Sequence, residues 1–379
     1  MKKVLIIAGE ASGDLHGSNL VRALKERDPS ISVYGVGSRR MAEAGVIMLA
    51  DAAAISVVGA TEVLTHIGAI YRVYAKLKRF LREERPDLLI LIDFPDFNIL
   101  TARAAKTLGV PVLYYISPQI WAWRKGRVHT IAKLVKAIMV VFPFEVALYR
   151  QAGVDVRFVG HPLADVVSSS YSRDDARKQL GLAPDRRTVA LLPGSRKKEI
   201  TQLLPDILGA ARLLKAKFAD VQFVLPVAPT LERELVEGFV QASGVPVRII
   251  DGRVYDALQA SDAAIVTSGT ATLETGLMAV PMVIVYRVSR LSYLIGRMII
   301  RVRHIGLVNI VAGKTVVPEL IQDNVTPAKI AEAIGDVLAD PELYRKVRDD
   351  LRQVRVQLGE GGASHRAASV VLELLGKAA

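Results

Sequence analysis

Short apolar runs alternate with amphipathic stretches through most of the 379-residue chain. In the first half the runs lie at 3–8, 31–36, 88–93, 111–116, 137–142 and 156–159, and in the second at 188–192, 221–226, 246–250, 263–267 and 281–286. Between them, stretches such as 14–27, 61–82, 98–108, 199–217, 230–242, 253–260 and 270–279 carry apolar residues at helical spacing. Strands apolar on both faces and separated by helices predict parallel sheets covered on each side. The rhythm restarts near 188, after the polar stretch 168–175, which predicts two domains, 1–170 and 171–345, followed by terminal helices over 346–379. The fold class expected is α/β, with two Rossmann-like doubly wound domains facing a cleft, and ligands bind such sheets at the carboxyl ends of their strands.

Composition narrows the chemistry. The chain has no cysteine, which excludes disulfides, thiolate zinc sites, iron–sulfur clusters and a cysteine nucleophile. Fifty Lys+Arg against 38 Asp+Glu give a net charge of +12, pointing to an anionic partner: nucleic acid, a phosphorylated metabolite or an acidic membrane surface. The start, Met1-Lys2-Lys3-Val4-Leu5-Ile6-Ile7-Ala8, is too short an apolar run for a signal peptide and breaks at Gly9-Glu10, so it reads as a buried first strand. No run approaches the roughly 18 apolar residues of a membrane span. The six histidines show no metal-ligand spacing, so no metal is expected.

Several loops follow strands in positions suited to anions. Gly9-Glu10-Ala11-Ser12-Gly13-Asp14 opens a helix but lacks the dinucleotide glycine spacing and a Walker lysine. Leu192-Pro193-Gly194-Ser195-Arg196 puts an arginine in the first turn of a helix, where the dipole disfavours it unless an anion lies between. Ser268-Gly269-Thr270-Ala271-Thr272-Leu273-Glu274 offers a helix cap, backbone amides for a diphosphate, and a carboxylate one turn on that suits ribose hydroxyls. Asp93-Phe94-Pro95-Asp96-Phe97-Asn98 ends a buried strand with two carboxylates: Asp93 reads as structural, and Asp96 either caps the next helix or serves as a general base. Trp121 and Trp123 line an acceptor pocket or pack in the core, and His161, in Gly160-His161-Pro162, is a cleft residue or a satisfied structural histidine.

Taken in order, these motifs, with Ser117-Pro118-Gln119-Ile120-Trp121-Ala122-Trp123-Arg124, Asn309-Ile310-Val311-Ala312-Gly313 and Pro318-Glu319-Leu320, closely resemble the lipid-A-disaccharide synthases, bacterial glycosyltransferases, from residue 1 to about 375. The resemblance implies a GT-B fold whose terminal helices return to the first domain. It implies transfer of 2,3-diacylglucosamine from its UDP ester to 2,3-diacylglucosamine 1-phosphate, by inverting displacement without metal or other cofactor, giving a β-1,6-linked disaccharide 1-phosphate and UDP. In that scheme Asp96 is the base and Arg196 neutralises the leaving UDP. Gly194, Ser195, Ser268, Gly269, Thr270, Glu274, Asn309, Glu319 and Gln322 lie on the nucleotide side. Glu10, Ser12, Gly13, Asp14, Trp121, Trp123 and His161 lie on the acceptor side.

Acylated substrates give the basic charge a purpose. The segments 64–82 and 288–305 mix apolar and basic residues and suit an anionic membrane, or else packing in the cleft or at a homodimer interface. The expected location is cytoplasmic, on the inner face of the bacterial inner membrane. Two rival readings remain: another GT-B sugar-nucleotide enzyme such as a UDP-N-acetylglucosamine 2-epimerase, and a basic nucleic-acid-binding protein. No helix-turn-helix, RNP or zinc-finger signature supports the second, so nucleic acid is not an expected partner.

Overall fold

The computed structural model describes residues 2–54, 60–118, 126–289, 293, 303–359 and 361–376. The chain divides into two compact units, Met1–Asp165 with Leu358–Ala379, and Val166–Gln357.

The first unit is built on seven strands: β1 (Lys3–Ala8), β2 (Ser32–Gly37), β3 (Ile47–Asp51), β4 (Leu88–Ile92), β5 (Val112–Tyr115), β6 (Ala137–Val140) and β7 (Asp155–Phe158). They lie in the order β3-β2-β1-β4-β5-β6-β7, every pair parallel. The whole of β4 and most of β1 are buried, as continuous apolar runs in a sheet covered on both faces require. The strand order reverses between β1 and β4, and the crevice at such a reversal is where doubly wound sheets take ligands.

The second unit repeats the plan with β8 (Arg187–Leu192), β9 (Val221–Val227), β10 (Val247–Asp251), β11 (Ala263–Thr267), β12 (Met282–Tyr286) and β13 (Glu319–Ile321). Their order is β10-β9-β8-β11-β12-β13, again all parallel. The reversal now falls between β8 and β11.

Three details differ from the sequence reading. The edge strands β3 and β13 were not expected: β3 is half exposed along its length and β13 has three residues, so neither shows a buried run. Helices start earlier than expected, at Ala11–Arg27, Pro95–Thr107 and Lys197–Lys217, because polar loop residues and Pro95 form their first turns. The terminal region does not act as one piece. Helix Pro341–Leu358 falls almost wholly in the second unit, where Leu351 and Val354 are buried and the Arg355 guanidinium donates to the Leu277 carbonyl at 2.8 Å. Helix Ala363–Leu374 belongs to the first unit and packs on Ala11–Arg27.

Candidate active site

In the second unit the loops after β8, β9, β10 and β11 line a cavity of about 510 Å³. Gly194, Ser195, Arg196, Ser268, Gly269, Thr270 and Glu274 all border it, so two motifs separated by more than seventy residues in sequence meet at the strand-order reversal. Arg196 is the residue before helix Lys197–Lys217 rather than in its first turn, and its side chain is 78% exposed. The anion expected beside it is supplied from within. Glu199 Oε2 accepts from the Ser195 and Arg196 amides at 2.9 and 3.2 Å, and Oε1 accepts from the Arg196 guanidinium at 3.1 Å. Gly194 has φ 116°, and a Cβ there would stand 2.3 Å from Glu199 Oε2, so both conformation and space demand glycine.

Glu274 accepts from the Tyr255 hydroxyl at 2.8 Å. Burial raises its pKa above the ordinary carboxylate value, and the Tyr255 bond partly opposes the shift. Thr267, at the end of β11, lines the cavity with a buried hydroxyl that has no partner among the described residues.

Asn309, Glu319 and Gln322 do not line this cavity, and their polar atoms are spent on the chain. Asn309 Nδ2 donates to Val317 O and Glu319 Oε1, both at 2.8 Å, while its Oδ1 accepts from the Val316 and Val317 amides. Glu319 accepts from the Ile305 and Gly306 amides at 2.9 and 3.0 Å. Gln322 bonds both ways with Val288. The corrected picture is a support: Glu319 fixes the backbone at Ile305, whose carbonyl accepts from the Ser268 hydroxyl at 3.4 Å.

In the first unit the loops after β1 and β4 flank the corresponding reversal. They are packed so closely that a Cβ on Gly9 would fall 2.3 Å from the Phe94 ring. Glu10 and Ser12 are exposed, and Gly13 is buried. Asp14 is no free acceptor-side group. Its buried carboxylate accepts from the amides of Ser38 (2.6 Å), Arg40 (3.1 Å) and Met41 (3.3 Å), filling the loop after β2.

The two carboxylates after β4 differ sharply. Asp96 lies in the first turn of Pro95–Thr107 rather than capping it; its side chain is 76% exposed and pairs with Arg127 at 2.5 Å. Asp93 is half-buried. Burial, reinforced by Glu10, pushes its carboxyl up to about 6. Asp93 and Phe94 adopt φ 46° and 47°, left-handed conformations that cost roughly 1–3 kcal/mol each at non-glycine residues and gather at functional sites. The sequence reading gave Asp93 a structural role; a carboxyl raised by burial at a strand end, beside a left-handed turn, makes it a candidate acid–base group. The sequence offered one signal for it, two carboxylates at the end of a buried strand.

His161 Nδ1 accepts from the Leu163 amide at 3.1 Å, and its buried ring packs on Phe142 and His16. Burial lowers its pKa to about 3, which makes it a neutral structural group. Trp121 and Trp123 lie outside the described residues. Among the described residues no cluster of His, Asp and Glu suits a metal ion.

Comparison with known proteins agrees with this plan. Solved structures with the same fold include a UDP-GlcNAc 2-epimerase from Neisseria meningitidis bound to UDP-GlcNAc (TM-score 0.67, 13% identity, 98% of this chain and 100% of that one). Another is CalG4, the calicheamicin glycosyltransferase (TM-score 0.62, 15% identity, 99% and 98%). At such identities they establish the GT-B fold alone. Sequence similarity goes further. The lipid-A-disaccharide synthase of Geobacter metallireducens is 54% identical over 99% of this chain and 98% of its own. That of Myxococcus xanthus is 47% identical over 98% and 97%. The family model described as lipid-A-disaccharide synthetase matches residues 4–374, and the chain belongs to the lipid-A-disaccharide synthase family of glycosyltransferases.

Proposed function

We propose that the enzyme transfers 2,3-diacylglucosamine from its UDP ester to the hydroxyl of 2,3-diacylglucosamine 1-phosphate, with inversion, releasing UDP and a β-1,6-linked disaccharide 1-phosphate. The observation that carries this reading is the cavity of the second unit, which gathers Arg196, the Ser268–Thr270 turn and Glu274 around about 510 Å³. Glu274 accepts from ribose hydroxyls. The amides of Gly269 and Thr270 open helix Thr270–Leu277 ahead of its first bond, from the Thr272 amide to Gly269 O, and hold the diphosphate. Arg196, exposed and tethered only to Glu199 among the described groups, turns to the charge developing on the leaving group.

The acceptor hydroxyl is a weak nucleophile, and a positioned base contributes typically about 10²–10⁴-fold. The geometry favours Asp93 over Asp96. A base works best with a pKa near the operating pH, and Asp93 stands at about 6, whereas Asp96 is exposed and ion-paired with Arg127. In the test, purified enzyme with both lipid substrates and EDTA should release UDP and form a lipid of disaccharide 1-phosphate mass. UDP binding without product would move the activity to another sugar nucleotide reaction.

We propose further that the chain attaches peripherally to an anionic membrane, on its cytoplasmic face, a reading supported by helix Ala60–Glu83. Ile67 and Tyr71 are 60% and 70% exposed one turn apart, and Arg72, Lys76, Lys78, Arg79 and Arg82 follow, a pattern that suits acidic headgroups. Most of the segment 288–305 lies outside the described residues. No helix among the described residues is long and apolar enough to cross a membrane. Flotation with anionic but not neutral liposomes is the expected result; equal behaviour with both would remove the attachment.

A further inference from the structure

The turn after β4 is strained and heavily fastened. Asp93 and Phe94 have φ 46° and 47°, and Ile116, at the matching end of β5, has φ 61°. None is glycine, and such backbone persists only where its surroundings over-determine it. Three bonds converge on the Asp93 main chain. Its amide donates to Ile116 O at 3.1 Å, and its carbonyl accepts from the Tyr114 hydroxyl at 2.6 Å and from Asn98 Nδ2 at 2.7 Å. Asn98 Nδ2 also donates to Ile92 O at 3.1 Å. Tyr114 and Asn98 are buried, at 1% and 0% exposure, so water does not compete for these bonds. Burial raises the Tyr114 phenol well above its ordinary value, and it stays a donor at any working pH.

A carboxyl set at the end of a strand takes its direction from the backbone that carries it. We propose that Tyr114 and Asn98 are positioning residues of the transfer reaction, which lock the Asp93–Phe94 turn and thereby aim the Asp93 carboxyl at the acceptor hydroxyl. This rests on the reading of Asp93 as the base. Both residues act through the main chain of Asp93, so their removal changes aim before it changes nucleotide binding.

The experiment is a double-mutant cycle on the full chain, with turnover and acceptor KM from UDP release and UDP affinity by calorimetry. Tyr114→Phe keeps the ring and removes the hydroxyl. In the parent it should lower kcat by on the order of 10- to 100-fold, as small misplacements of reacting groups do, with UDP affinity unchanged within about twofold. In an Asp93→Asn background the same change should cost less than about twofold, because there is no carboxylate left to aim. Thr101→Val, which removes a buried hydroxyl on the same helix bonded to Phe97 O at 3.0 Å, should leave kcat near the parent's. Asn98→Ala read in the same two backgrounds gives an independent answer should Tyr114→Phe fail to fold. Near-parental turnover of Asp93→Asn would remove the base reading. A strongly impaired Asp93→Asn beside a Tyr114→Phe enzyme within twofold of the parent, or with equal losses in both backgrounds, would overturn the clamp and leave Asp93 in place.

Discussion

Acidification from pH 7.5 to 5.0 should destabilise the first unit through two buried histidines. The rings of His16 and His161 lie 6.4 Å apart, and His16 Nδ1 has no hydrogen-bond partner among the described residues. Burial lowers His16 to about 4, against a smaller opposing pull from Asp165, and lowers His161 to about 3, with His16 adding to the effect. With folded values below the unfolded 6.5, the unfolded chain takes up protons first as the pH falls. The stability is therefore intact above about 6.5 and drains away below it. Over this interval each histidine costs about 1.36 kcal/mol for each of roughly 1.5 pH units, about 2 kcal/mol. Asp93 works the other way. Raised to about 6, it takes up its proton in the folded state before the unfolded chain does and returns about 1.4 kcal/mol. The expected net loss is near 3 kcal/mol, a large part of the 5–15 kcal/mol of a typical domain. Urea unfolding read by tryptophan fluorescence reports this unit, since Trp121 and Trp123 are the only tryptophans and both fall in its sequence. His16→Leu should shrink the pH-dependent loss by about 2 kcal/mol. A variant that loses as much stability as the parent between the two pH values would refute the reasoning.

Other perturbations separate the roles drawn above. Asp93→Asn should lower turnover by about 10²-fold or more while Asp96→Asn lowers it much less; the reverse order in UDP-release assays would return the base to Asp96. Glu274→Ala should weaken UDP by about tenfold, the cost of a lost charged hydrogen bond, and unchanged affinity by calorimetry would take Glu274 off the ribose. Because burial raises the Glu274 pKa and Tyr255 favours its ionised form, UDP affinity should fall on acidification, and Tyr255→Phe should move that fall to higher pH. Asp14→Asn keeps one acceptor oxygen but turns its NH₂ toward at least one backbone donor, such as the Arg40 amide; it should cost about 1–3 kcal/mol in unfolding of the first unit and leave UDP binding in place, whereas a changed acceptor KM at full stability would restore Asp14 to the site.

The parallel α/β plan was legible because β1, β4, β8 and β11 are continuous apolar runs with helical spacing between them. Chain order hid what lies at their ends. Asp93 and Asp96 are three residues apart and look alike in sequence. They separate only once β4 buries one beside Glu10 and the next helix turns the other to solvent and Arg127. Arg196 was read as a cation in the first turn of a helix that calls for an anion; it stands one residue before that helix, and the nearest carboxylate, Glu199, is three residues away. Asn309, Glu319 and Gln322 were placed on the nucleotide side by resemblance. Whether such a group faces a ligand or the backbone depends on loops that fold onto it from 288, 305 and 316, which no local spacing encodes.

The two units solve one geometric problem in opposite ways. Each has a loop after its first strand at the point where strand order reverses, and each has a carboxylate nearby. In the first unit Asp14 is buried and bonded to three amides of the neighbouring loop. A group so placed is costly to displace, because each stranded donor would lose its partner. In the second unit Glu199 holds two amides and a guanidinium beside an open cavity, and Arg196 is largely exposed. An exposed ion pair of this kind holds within about 1 kcal/mol, so under the proposed function a diphosphate would draw the guanidinium away at little cost. The duplicated fold thus divides its labour. The first unit seals its glycine loop and spends its strain on the turn at Asp93, and the second leaves its loop open beside a cavity, with Glu199 as the internal partner of Arg196.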